Sequence, residues 1–119
     1  MAKVLIVDDD PDILEVLQLT LQMEGFETKT NAHGDQLFHE VDVFKPDVII
    51  LDILLSGSDG RVLCRKLKSG IKTKQIPVIL ISAHPKLKES ISESGADDFI
   101  PKPFDIEDLI TRVEKQLAN

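Results

Sequence analysis

Three short apolar runs, each closing on a polar residue, set the pattern of the chain. Lys3-Val4-Leu5-Ile6-Val7 leads into Asp8 and Asp9, Asp47-Val48-Ile49-Ile50-Leu51 into Asp52, and Pro77-Val78-Ile79-Leu80-Ile81 into Ser82. β-Branched runs this short predict strands buried on both faces, the kind found in parallel sheets covered by helices. In parallel strands the polar endings converge on one edge. Open α/β sheets take their ligands in the crevice outside the carboxyl ends of the strands, so that edge is the expected site.

Helical spacing fills the intervals. Asp10-Pro11 reads as an N-cap followed by proline at the first helical position, and Ile13, Val16, Leu17, Thr20 and Leu21 continue a helix that Gly25 closes. Phe26 to Thr30 alternates without a continuous apolar run, as the least buried strand would. Asn31 to Gly34 reads as a loop, and Leu37, Phe38 and Val41 supply the stripe of a second helix before Lys45-Pro46. Ser56 to Gly60 is a polar, glycine-rich loop, after which Val62, Leu63 and Leu67 face a third helix that ends near Gly70. From Pro85 to Ser94 only Leu87 and Ile91 are suitably spaced, enough for a short fourth helix. Phe99-Ile100 predicts a short fifth strand, marked as an edge by Pro101. Phe104 to Asp108 begins a last helix carried on by Leu109, Ile110, Val113 and Leu117. Alternating strands and helices in this order predict a three-layer α/β sandwich with right-handed crossovers. Met23 and the five phenylalanines are expected in the core.

Bulk properties narrow the function. The 119 residues are expected to form one domain, residues 1–119, and 42% hydrophobic with 29% charged residues is ordinary for a soluble protein. No run reaches the length of a membrane span, and Met1-Ala2-Lys3 entering the first strand leaves no room for a signal peptide, so the expected location is the cytoplasm. The single Cys64 forms no internal disulfide. A net charge of −7 argues against direct nucleic-acid binding by this domain, since that affinity comes largely from Lys and Arg on phosphate.

The strand ends carry the chemistry. Neighbouring first and third strands would bring Asp8, Asp9 and Asp52 within several ångströms of one another. At ~5 Å and an effective dielectric of ~20 each pair repels by roughly 3 kcal/mol, so the cluster calls for a cation or a bound proton. All-oxygen ligands with vacant positions suit Mg2+ better than calcium, which prefers six or more protein oxygens. Ser82 adds a hydroxyl and Lys102 an ammonium at the same edge. Carboxylate, metal, hydroxyl and ammonium together describe phosphoryl transfer, with Asp52 as in-line nucleophile. Taken singly, each residue has an ordinary explanation: a helix N-terminus favouring acids for Asp8 to Asp10, a turn former at Asp52, a solvated loop at Ser82, a surface cation at Lys102. Jointly these explanations weaken, because four fitting residue types would have to fall by chance at four strand ends on one edge. His33, His39 and His84 show no metal-ligand spacing and read as surface or loop residues.

With these residues in view, the chain closely resembles, along its whole length, the receiver domain of two-component response regulators. The matching stretches are Val4 to Pro11, Asp47 to Asp52, Asp59-Gly60, Pro77 to Ala83, Gly95 to Phe99, and Lys102-Pro103-Phe104. The resemblance implies a flavodoxin-like fold, a five-stranded parallel sheet of order 2-1-3-4-5 with five helices. It implies that Asp52 accepts a phosphoryl group from a sensor histidine kinase or phosphotransfer protein, and that Asp8, Asp9, Asp52 and the backbone carbonyl of Leu54 bind Mg2+. It further implies that Lys102 binds phosphate, that Ser82 and Phe99 are the switch pair, and that Pro103 follows a cis peptide bond. Phosphorylation would draw the Ser82 hydroxyl toward the phosphate and let Phe99 turn inward. That shifts the face of the fourth helix, fifth strand and fifth helix that controls a downstream protein or output domain. The expected state is a monomer or a weak phosphorylation-linked dimer.

Some positions depart from the family pattern. Ser56 stands where the family usually has proline, which predicts a looser loop. The stretch from Ser82 to Gly95 is short by roughly half a helical turn, which predicts a short or irregular fourth helix. Leu54 and His84 occupy positions that flank the phosphoryl group, and an apolar Leu54 predicts a long-lived phosphoryl state. Two rivals stand beside the receiver. One is a pseudo-receiver interaction module that is never phosphorylated. The other is a Mg2+-dependent phosphohydrolase with an aspartyl nucleophile, which would want an acid where Leu54 stands.

Overall fold

The computed structural model of the chain describes residues 1–83 and 92–118. Five strands, β1 (Lys3–Val7), β2 (Glu27–Asn31), β3 (Val48–Asp52), β4 (Val78–Ser82) and β5 (Asp98–Pro101), form one sheet. The order is β2-β1-β3-β4-β5 and every pairing is parallel. Helices α1 (Pro11–Met23), α2 (Leu37–Phe44), α3 (Gly60–Ser69) and α5 (Ile106–Leu117) cover it, with residues 92–94 helical as α4. This is the doubly covered α/β sheet that the strand pattern predicts, in the flavodoxin-like order that the resemblance implies. The weak segment read as a fourth helix, His84 included, lies mostly outside the described residues.

Two faces of the strands make two cores, as a side-chain period of two requires. Leu5, Val7, Ile49, Leu51, Val78 and Leu80 point to one face, where Leu37 and Val41 of α2 and Cys64 and Leu67 of α3 cover them. Val4, Ile6, Val48, Ile50, Ile79 and Ile81 point to the other, against Leu17 and Leu21 of α1 and Leu109 and Val113 of α5. β3 is buried at all five positions and β2 at none. Each fully buried Leu or Ile contributes about 1.5–3 kcal/mol of transfer free energy, so the central strands hold the sheet rigid where the polar ends must be placed.

The helix starts are fixed by acids. Asp10, Asp59 and Asp105 each accept a hydrogen bond from the backbone N–H two residues on, all at 2.9 Å. Gly25, with φ of 93°, follows α1 as a left-handed residue. Four apolar residues expected inside are outside. Val16, Phe38 and Val62 are roughly half exposed, and Met23 is 87% exposed. The first three sit on the flank of their helix, one residue away from the inward Leu17, Leu37 and Leu63 (about 100° of rotation), and Met23 is two residues past Leu21. The other phenylalanines, 26, 44, 99 and 104, are partly buried against the cores. Among the described residues no helix is long and apolar enough to cross a membrane.

The loop after β3 is more regular than its composition suggests. Leu54–Leu55 pairs antiparallel with Ser58–Asp59 around a two-residue turn of Ser56 and Gly57. Gly57 has φ of 77° and Ser56 is not among the positive-φ residues, which makes this a type II turn. The loop read as polar and glycine-rich is thus a paired hairpin, for which the Ser-Gly dipeptide was the available signal.

Candidate functional site

The carboxyl ends of β1, β3 and β4 deliver Asp8, Asp52 and Ser82 to one edge, all buried, and the residue after β5 delivers Lys102. Carboxylate oxygens of Asp8, Asp9 and Asp52 lie within 4.8 Å of one another. The Lys102 ammonium bridges the two buried acids, 2.9 Å from Asp8 Oδ2 and 3.3 Å from Asp52 Oδ2. Its backbone N–H donates to the Ser82 carbonyl at 2.8 Å, and the Lys102–Pro103 peptide is cis. The sequence-predicted acids, hydroxyl and ammonium therefore share one edge.

Asp8 is fully buried. Its Oδ1 accepts from the Asp10 N–H at 2.9 Å, while Oδ2 has the ion pair with Lys102 but no hydrogen bond of acceptable geometry. With the ammonium as its one partner, this buried oxygen keeps acceptor capacity for a further cation. Three carboxylates in such proximity form a hard, all-oxygen donor set that fits Mg2+. Burial pushes the Asp52 carboxyl up to about 6, helped by the Asp8 charge and opposed by Lys102. Burial also works against the Lys102 charge, but Asp8 and Asp52 outweigh it and raise its pKa.

Asp9 differs from the other two acids in being exposed, and its Oδ2 accepts from the Ser56 hydroxyl at 3.2 Å. The Leu54 N–H approaches Asp52 Oδ1 at 3.4 Å, and the Leu54 side chain is 47% exposed beside the site. Gly60 opens α3 directly under β3. Its N–H donates to the Ile53 carbonyl at 2.8 Å, and a Cβ there would run into the Asp52 carbonyl oxygen and Ile53 Cα. Asp59-Gly60 belongs to a matching stretch of the family pattern, and the sequence offers no sign of this contact. Phe99 is partly buried against the core cluster that includes Leu80, and its carbonyl accepts from Arg112 Nη1 at 3.0 Å. His33 and His39 are exposed, as expected.

A family model described as the response regulator receiver domain matches residues 4–114. The DNA-binding dual master transcriptional regulator RpaA of Synechocystis sp. is 34% identical over 119 residues, covering 98% of this chain and 49% of that protein. The DNA-binding response regulator MtrA of Mycolicibacterium smegmatis is 35% identical, covering 97% and 50%. The chain thus spans about half the length of these curated relatives. Among solved structures, a response regulator from Chloroflexus aurantiacus superposes with a TM-score of 0.93 at 34% identity, covering 99% of this chain and 98% of that one. The receiver domain of a signal transduction histidine kinase from Syntrophus aciditrophicus gives 0.92 at 35%, covering 99% and 91%. The chain belongs to the response regulator receiver domain family, the receiving module of two-component signal transduction.

Proposed function

We propose that residues 1–119 form a phosphoacceptor domain in which Asp52 takes a phosphoryl group from a histidine kinase or phosphotransfer protein. The observation that carries this reading is the Lys102 ammonium seated between Asp8 and Asp52, at 2.9 and 3.3 Å, on the edge where the strands end. An Asp52 carboxylate oxygen attacks phosphorus in line. The O–P bond forms as the P–N bond to the donor imidazole breaks, and that nitrogen leaves to be reprotonated. Lys102 pairs with the phosphoryl oxygens and the Ser82 hydroxyl donates to one of them. Asp8, Asp9, Asp52 and the Leu54 carbonyl would hold Mg2+, which when bound supplies positive charge to the transferring group. The domain assists its own phosphorylation and is not an enzyme acting on outside substrates.

Ser82 and Phe99 would carry the signal, Ser82 by moving toward phosphate and Phe99 by repacking against the core beside β4. The face of α4, β5 and α5 then presents a different surface to a downstream protein or output domain. The relatives RpaA and MtrA are DNA-binding regulators twice as long as this chain, so DNA contact in this system would fall to a partner or further domain.

Incubation with Mg2+ and acetyl phosphate should add one phosphoryl mass to the protein, and Asp52→Asn should abolish it. No adduct on the wild-type chain would favour a pseudo-receiver, and repeated turnover of varied phosphoesters would favour a hydrolase. Leu54, where a hydrolase of this chemistry needs its acid, argues against the last.

A further inference from the structure

Asp8 and Asp52 are held by burial, but Asp9 is not. It sits exposed beside two like charges, with repulsion tending to swing its carboxylate away from them. The contact that opposes this swing is the Ser56 hydroxyl, donating to Asp9 Oδ2 at 3.2 Å across 47 positions of sequence. The turn does not demand a serine. Ser56 occupies the first central position of a type II turn, with Gly57 at φ 77° in the second, and proline is favoured in that first place. Proline there would keep the hairpin and lose the hydroxyl. The turn therefore leaves residue 56 free for another role, and the hydroxyl spends it on Asp9.

We propose that Ser56 is a positioning residue for the metal site, holding the Asp9 carboxylate toward Asp8 and Asp52 so that the affinity for Mg2+ depends on its hydroxyl. The proposal rests on the reading of Asp8, Asp9 and Asp52 as the Mg2+ ligands. Hydrogen bonds to a ligating carboxylate fix its orientation, and their loss typically weakens metal binding. A carboxylate oxygen accepts more than one partner, so the Ser56 bond leaves coordination possible. The bond also removes rotamer freedom from Asp9 before the ion arrives, which is the physical content of preorganisation.

The test is a Mg2+ titration of the 15N-labelled domain followed by amide chemical shifts, since the chain has neither tryptophan nor tyrosine to report by fluorescence. Ser56→Ala and Ser56→Pro should weaken Mg2+ about tenfold, the low end of what such supporting contacts contribute, and Ser56→Thr should restore it to within about twofold. Thermal unfolding of all three in EDTA should match the wild type, because the turn accepts each residue. Unchanged or tighter binding by Ser56→Ala overturns the proposal while leaving the metal site standing. Equal weakening by Ser56→Thr, which keeps the hydroxyl, also overturns it, because the effect would then come from the backbone. A wild-type chain with no Mg2+-dependent shifts at residues 8, 9 and 52 overturns the metal-site reading and this proposal together.

Discussion

Asp52 has lost most of its water and gained charged neighbours of both signs, the acids Asp8 and Asp9 and the ammonium of Lys102. Burial is the larger influence, and the carboxyl moves from its ordinary value of 3.8 to about 6. An acid whose folded pKa is raised binds its proton more tightly in the folded chain than in the unfolded one. Its stabilisation is complete below pH 3.8 and is lost as pH rises through about 6. From this group alone the metal-free protein loses on the order of 3 kcal/mol across that window. Asp52→Asn has no such loss, so its stability advantage over wild type in EDTA should widen between pH 4 and pH 7 by roughly 1–3 kcal/mol, read from urea unfolding. A constant gap would mean that the carboxylate is better solvated than its burial implies. Leu54, beside Asp52, supports a second expectation. An apolar side chain cannot orient a water for attack on an acyl phosphate, so the adduct should persist for minutes or longer by mass spectrometry. Leu54→Glu should shorten it, and loss within seconds from the unaltered protein would contradict this reading. The residues of this site were legible in the sequence because apolar runs ended abruptly in acids and a hydroxyl. The Ser56–Asp9 bond was not, since nothing local joins positions 47 residues apart.

At the scale of elements, the start of α3 is pressed against the end of β3. Gly60 tolerates that approach because it has no Cβ, and its N–H on the Ile53 carbonyl ties the two elements together. Gly60→Ala would have to push the helix off the backbone of Asp52 and Ile53. It should cost about 2–4 kcal/mol, seen as a lowered Tm, with phosphoryl uptake reduced because the acceptor strand end shifts. A variant with wild-type Tm would show that the helix start gives way easily. Element type was readable from periodicity, but helical phase was not. Val16, Phe38 and Val62 lie one residue from the buried stripe, and a helix with several apolar neighbours does not declare which of them face inward. The hairpin at residues 54–59 was hidden by the polar composition of its turn, because its order comes from cross-strand pairing, a left-handed Gly57 and the single buried Leu55.

For the whole molecule, the sheet gathers negative charge at one edge of a chain whose net charge is already −7. A cation that binds the folded site and not the dispersed acids of the unfolded chain stabilises by mass action, about 2.7 kcal/mol at a hundredfold excess over Kd. Mg2+ should therefore raise the Tm of the wild type in a saturable way, and EDTA should reverse it. Asp8→Asn should abolish the rise, and an equal rise in that variant would place the ion elsewhere. The shared edge was readable because parallel strands put their polar ends together, whereas the strand order rested on the resemblance of the motifs.

Lys102 is fastened at both ends. Its backbone N–H is held by the Ser82 carbonyl on β4, and its ammonium by Asp8 and Asp52 on β1 and β3. A residue anchored in that way behaves as a strut between the outer edge of the sheet and its centre. New negative charge at Asp52 would pull on the strut from the inner end, and the pull would pass to the Lys102 backbone where β5 meets β4. A link of one side chain's length thus joins the acids at the centre of the sheet to its edge.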